Sequence, residues 1–220
     1  MTNVQANLAQ DLLRIHRAIT RGLNVGLEKG AQYEQTGFPN PETRKGYTDY
    51  ALALTLVLSS HHLGEDEVAF PAIRERLPAA PYEKLAADHH TIDRLLEGFK
   101  PAVTQAAAGD GAALHQLVDV LRSVNALWAP HIHIEETSFS PQALGAVMGM
   151  DEQARLGGLI SKHSAEHSDP AYLTLPFVLY NLEPEDRAVL ASTLPPMLVQ
   201  ELIPKAWKDL WAPMKPFLLE

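Results

Sequence analysis

The sequence predicts an all-α fold, a four-helix bundle followed by further helices, and three observations carry that prediction. Four segments place apolar residues with helical period. Gly- and Pro-rich punctuation separates them: Gly37-Phe38-Pro39-Asn40-Pro41, Leu77-Pro78-Ala79-Ala80-Pro81 and Gly109-Asp110-Gly111. The second and fourth segments also end in the same polar device, a His followed four residues on by a Glu, an acidic residue next, and a Pro six residues after the Glu. The two copies are His61, Glu65, Asp66, Pro71 and His131, Glu135, Glu136, Pro141.

The first helix is expected from about Val4 to Lys29, where Leu8, Leu12, Ile15, Ile19 and Leu23 form the apolar stripe and His16 lies on it. Residues 30 to 43 read as a loop. The second helix should run from Pro41 or Thr43 to Phe70, with Pro71 forcing a break or a kink. The third starts at Pro81 or Tyr82 and carries Leu85, His89, Ile92, Leu96 and Phe99 on one face. His16 and His89 share their surroundings, each with Leu four residues before, Ile three after and Leu seven after. Helices one and three therefore echo each other as two and four do. Asp110 leads into the fourth helix, where Pro130 stands just before His131 and should kink it, since a proline in a helix interior costs about 3 kcal/mol. Residues 1–150 make up this bundle. In residues 151–220 we expect a helix from Asp151 to His167, a Pro-rich passage, a short helix from Pro184 to Ser192, and an amphipathic stretch from Pro195 with Trp207 and Trp211. This extension is expected to pack on the bundle or to form a homodimer surface.

Composition narrows the function. Of 220 residues, 46% are hydrophobic and 20% charged, the balance of a chain that folds around a core. A net charge of -9 without a basic stripe argues against a nucleic-acid partner. The absence of cysteine removes disulfides, thiolate nucleophiles and sulfur-bound metals together, leaving nitrogen and oxygen ligands. The longest apolar run, Ala51 to Leu58, is too short to span a bilayer, and the first twenty residues lack the pattern of a signal peptide, so a cytoplasmic location without a membrane partner is expected.

Positions i and i+4 share a helix face, so each His-x-x-x-Glu can aim an imidazole and a carboxylate at one point. Both copies lie on apolar stripes and should face the core, where an unpaired charge is costly and a coordinated one is not. His16, His61, Glu65, His89, His131 and Glu135 are therefore the candidate metal ligands, one layer deep in the bundle. A single buried His is usually a hydrogen-bonded core residue, and a single His-x-x-x-Glu is often a surface pair; the duplication separates this chain from both. Four imidazoles and two carboxylates suit two iron ions, with zinc or manganese possible, and the carboxylates offset half the charge of a diferrous pair. His62, His90 and His133 sit about 100° round their helices and are expected at the surface or behind the ligands. His163 and His167 form an i, i+4 pair that either caps the site, binds metal itself or lines a solvated face. The Glu-x-x-His of ferritin-like bundles, the His-Glu-x-x-His of zinc peptidases and a Gly-x-Ser-x-Gly nucleophile turn are all absent.

With His16, His61-x-x-x-Glu65, His89 and His131-x-x-x-Glu135, and the phrases His-His-x-x-Glu-Asp-x-x-x-Phe-Pro and His-x-His-x-Glu-Glu, the chain resembles the hemerythrin-like family, the HHE cation-binding domain. The resemblance spans roughly residues 1 to 150. It implies an up-down-up-down bundle around a carboxylate-bridged non-haem di-iron centre, with activities that include binding dioxygen or nitric oxide, iron or oxygen sensing, peroxide removal and repair of iron centres. A small diatomic gas or peroxide is the implied partner. The alternatives are a non-catalytic sensing module and a bundle with structural zinc. In the oxygen-carrying members the third helix supplies a second His four residues after the first, where this chain has Asp93. The resemblance thus implies a missing fifth imidazole and open coordination positions on both ions.

Overall fold

The computed structural model describes residues 7–219, and every regular element among them is helical. Helix α1 spans Leu8–Thr36, so the expected start at Val4 lies outside the described residues. Asn7 opens α1 by accepting the Gln10 N–H on its side chain, and Gly37, at φ 70°, closes it by returning its N–H to the Tyr33 carbonyl. The loop expected from Gly30 is shorter than predicted. Gly30 is buried inside α1 because the Tyr47 hydroxyl and Val118 occupy the place a Cβ would take, which makes it a site of close helix approach and not a breaker.

Helix α2, Pro41–Gly64, has Pro41 in its first turn and Asn40 accepting the Thr43 N–H at 2.7 Å. Pro71 does not break the chain as expected. A π turn, Glu65–Ala69, follows α2, and α3, Phe70–Arg74, carries the helix past the proline. Phe70 donates its N–H to the Glu65 carbonyl, five residues back. The widened turn takes up the residue that cannot donate, and it lies on a candidate ligand.

The third bundle helix is interrupted earlier than predicted. Helix α4 is Tyr82–Leu96 and α5 is Phe99–Ala107. Pro101 explains the step, since its ring would press on the carbonyl of Glu97, the residue where α4 gives out. Helix α6, Gly111–Ser138, is capped by Asp110 and contains Pro130 without interruption of its helical run.

Beyond the bundle lie α7 (Pro141–Val147), α8 (Met150–His167), α9 (Ala171–Tyr180), α10 (Pro184–Thr193), a π turn (Leu198–Ala206), α11 (Lys208–Trp211) and a 3₁₀ segment (Ala212–Phe217). The passage expected to be irregular after His167 is thus helical over α9, where Leu173, Phe177 and Leu179 are buried. Among the described residues, no helix is long and apolar enough to cross a membrane.

The bundle has two apolar layers with a polar one between them. One layer holds Ile19, Leu58, Ile92 and Trp128; the other holds Leu8, Ala69, Phe70, Leu85 and Phe139. On each of the four bundle helices the candidate ligands stand between a residue of the first layer and a residue of the second. The C-terminal helices complete both layers: Phe177, Ile203, Trp211 and Phe217 join the first and Leu156 the second. The Phe177 ring lies 2.6 Å from where a Cβ on Gly22 would stand, and Arg21 donates to the Phe217 carbonyl at 2.8 Å. Phe177→Ala should therefore destabilise the whole chain by about 3–5 kcal/mol, the usual cost of emptying a buried aromatic site. Urea denaturation checks this, and a loss below about 1 kcal/mol would mean that α9 is not part of the bundle core.

Candidate metal centre

His16 comes from α1, His61 from the end of α2, Glu65 from the π turn, His89 from α4, and His131 and Glu135 from α6. All six are buried. The structure gathers His16, His61, Glu65 and Glu135 into one group, with one donor atom of each within 4.8 Å of the others. Beside it stands a second group: His89, His131 and His62.

The two carboxylates touch both groups. Glu65 Oε2 lies 3.4 Å from His61 Nε2 and 3.5 Å from His89 Nε2. Glu135 Oε2 lies 3.2 Å from His16 Nε2 and 3.4 Å from His131 Nε2, and its Oε1 is 3.8 Å from His89 Nε2. None of these approaches has hydrogen-bond geometry: His16 Nε2, His61 Nε2, Glu65 Oε2 and both Glu135 carboxylate oxygens are buried without a hydrogen-bond partner. A ring of buried donors left unsatisfied at this spacing is costly in a metal-free protein and natural around a cation.

His62 corrects the expectation that it lies at the surface, one of the two places expected for it. It is buried, stacks on His89 with ring centroids 4.1 Å apart and planes 12° from parallel, and neither ring nitrogen has a hydrogen-bond partner. The reason is geometric. Helix α2 has a bundle neighbour on each side, so His61 turns toward His16 of α1, 5.1 Å between centroids, while His62 turns toward α4. Asp93, where the resemblance implied a missing imidazole, is half-exposed with Oδ1 3.9 Å from His62 Nδ1. The third imidazole of the second group therefore comes from α2 and not from α4.

His90 and His133 are exposed. His163 and His167 stay outside both groups, with His163 Nε2 2.9 Å from Glu67 Oε2. A layer of acids missed in the sequence faces the outer nitrogens. Glu136 Oε1 is 3.0 Å from His16 Nδ1, Asp66 Oδ1 is 3.0 Å from His89 Nδ1, and Asp88 Oδ2 is 3.7 Å from His131 Nδ1. Asp66 and Glu136 are the acidic residues that directly follow the two glutamates, which was their only signal in the sequence. Glu136 holds His16 by a hydrogen bond to Nδ1 and leaves Nε2 pointing inward, the arrangement that fixes a metal-binding tautomer, while Asp66 stands beside His89 Nδ1 without a hydrogen bond. Trp128 closes the layer on the apolar side, 5.5 Å from His16 and 5.9 Å from His131 between centroids, and donates its indole N–H to Thr20 Oγ1.

Burial and charge split the protonation states. Burial holds His61 and His62 well below the usual histidine range and lowers His131 as well. His16 and His89 are buried too, but carboxylates overcome that penalty: Glu135 and Glu136 raise His16, and Asp66 and Glu135 raise His89 to about 9. Burial pushes the Glu65 carboxyl well above the usual range, helped by the charge of Glu135. Glu135 is also buried, yet the imidazoles of His16 and His89 beside it hold it well below.

A family model described as the hemerythrin HHE cation binding domain matches residues 7–143, which takes in all seven residues of the two groups and their acidic partners. Among curated proteins and solved structures, no match to the chain is found.

Proposed function

This chain belongs to the hemerythrin HHE cation-binding domain family, and from that premise we propose that it holds two iron ions and acts on a small diatomic gas or peroxide. The observation that carries the reading is the position of Glu65 and Glu135 between two sets of imidazoles, since a carboxylate flanked by two donor groups is placed to serve two ions at once. His16, His61, His62, His89 and His131 would hold the ions with these glutamates. The donor set fits: five imidazole nitrogens and two carboxylates, no sulfur, and buried atoms that lack other partners suit iron better than a softer metal. When bound, such a pair supplies a redox couple and a place for a small ligand.

The chain's own residues prepare that chemistry. Glu136 orients His16 through its Nδ1, Asp66 and Asp88 place negative charge beside His89 and His131, and Trp128, Phe70 and Leu85 exclude water from the layer. His61 and His62 are neutral at physiological pH and need shed no proton before they ligate. The inclusion of His62 makes its own forecast: His62→Ala should lose as much iron as His61→Ala, while His90→Ala and His133→Ala keep it. Iron counted per chain by emission spectrometry decides this, and full iron in His62→Ala would return that residue to a packing role.

The test of function is an optical spectrum of the iron-loaded chain, followed by addition of peroxide or of nitric oxide. Absorption of an oxygen-bridged iron pair together with consumption of either molecule supports the proposal. The same spectrum without consumption favours the second reading, a non-catalytic iron- or oxygen-sensing module. One zinc per chain in place of iron would leave a structural site.

A further inference from the structure

We propose that metal ions enter the buried layer through the seam between α2 and α4, drawn in by Asp66 and Asp93 and met first by His62. The inference rests on the reading that the layer holds metal, and it names the chain's own means of filling it. Helix α4 packs closely on α6 and only loosely on α2. In that gap the rings of His62 and His89 lie stacked, and an acid stands outside each: Asp66 Oδ1 is 3.0 Å from His89 Nδ1 and Asp93 Oδ1 is 3.9 Å from His62 Nδ1. The Asp66 side chain is 34% exposed and that of Asp93 49%, so both reach water while the two rings behind them are buried.

The other three seams offer a cation less. Between α1 and α6, Glu136 is engaged by its hydrogen bond with His16 Nδ1. Between α4 and α6, Asp88 is paired with Lys84, which offsets its charge. Between α1 and α2, helix α8 lies across the opening, with Gly157 beside Leu8 and with Ile160 and Ser164 against Gly64. Among the described residues neither Asp66 nor Asp93 pairs with a lysine or an arginine. Two uncompensated carboxylates at one opening draw in a divalent cation.

What lies behind the acids points the same way. In the second group His89 and His131 approach each other at 3.2 Å between their Nε2 atoms, whereas both nitrogens of His62 are buried without a partner. One of them faces Asp93, and the ring offers a donor atom to His89 and His131. A side chain with no hydrogen bond to break turns at little cost, so His62 is placed to take an ion beside Asp93 and bring it to the layer.

To test it, the metal-free full chain is mixed anaerobically with ferrous iron, unbound iron is trapped by a chelator at set times, and bound iron is counted. The wild type should fill at a rate that falls with added salt. Asp93→Asn should reach the same final iron content about threefold to tenfold more slowly and with a weaker salt dependence, as expected when one charge is taken from a focusing cleft. Asp93→Glu should restore most of the rate. Glu28→Gln, which removes an exposed acid twelve residues beyond His16 on α1, should match the wild type. Uptake by Asp93→Asn at the wild-type rate would overturn the proposal, as would an equal slowing in Glu28→Gln or a lower final iron content in Asp93→Asn. A wild type that binds no iron at all is a different result, which removes the metal reading itself and this inference with it.

Discussion

Glu65→Gln and Glu135→Gln are expected to shift the stability of the metal-free chain in opposite directions while both abolish tight metal binding. The folded state raises the Glu65 pKa, so between the unfolded carboxyl range and the raised value the folded chain binds more protons than the unfolded one. Its stability therefore falls as pH rises through that window, and at neutral pH Glu65 is a burden. A neutral glutamine removes the buried charge beside Glu135 and should stabilise the metal-free fold. Glu135 is lowered, so its contribution is present above the unfolded carboxyl range and is lost as pH falls through the folded value. Glu135→Gln strips His16 and His89 of their shared counter-charge and should destabilise the metal-free chain. Urea denaturation in chelator at pH 7 measures both. Two substitutions with the same sign would mean that the glutamates do not divide the charge in this way.

Metal loading is expected to stabilise the chain strongly at neutral pH and to lose that effect in acid. An ion that binds only the folded state adds about 2.7 kcal/mol at a hundredfold excess over its Kd and about 4.1 at a thousandfold. The metal-free layer starts from a poor position, with Nε2 of His16 and His61, both nitrogens of His62, Oε2 of Glu65 and both carboxylate oxygens of Glu135 buried without hydrogen-bond partners. His61 and His62 titrate below the unfolded histidine value. As pH falls below that value the unfolded chain takes up protons that the folded chain refuses, so their neutral state destabilises the fold in acid. His16 and His89 have the opposite sign: their contribution is complete below the unfolded value and fades as pH rises, for His89 through about 9. Coordination at pH 7 must displace a proton from His89, which carboxylates hold at about 9. Calorimetry in buffers of different ionisation enthalpy should therefore register proton release on metal binding, and melting curves with and without metal should converge toward pH 5. Binding without proton release, or equal melting temperatures at pH 7, would contradict this.

How much of this was legible in the sequence follows from what each feature depends on. The bundle helices and six inward residues rest on spacing along one helix, and the period of 3.6 residues that puts His61 and Glu65 on one face holds in the fold. The expectation that His62 could lie at the surface failed because it treated α2 as having a single inward face. A helix packed on two sides presents two adjacent positions to the interior, and which neighbour each side chain meets is a tertiary fact. The continuation past Pro71 was missed because a π turn answers a local conflict that could equally have ended the helix. Gly30 looked like punctuation; its burial against Tyr47 and Val118 depends on helices brought together by the fold. Asp66 and Glu136 stood in plain view after each glutamate, but the imidazoles they face are on other helices, so spacing gave no hint of the partner. Helix α9 was hidden because Pro170 and Pro176 outweighed a short apolar run whose burial is supplied by the bundle.

The central claim is that one layer of this bundle holds two ions between Glu65 and Glu135. A crystal structure of the iron-loaded chain with anomalous scattering at the iron edge tests it most directly. The account predicts two iron peaks, one among His16 and His61, the other among His62, His89 and His131, with both glutamates reaching both ions at about 2.0–2.2 Å. A single peak, or two peaks that share neither glutamate, would contradict it.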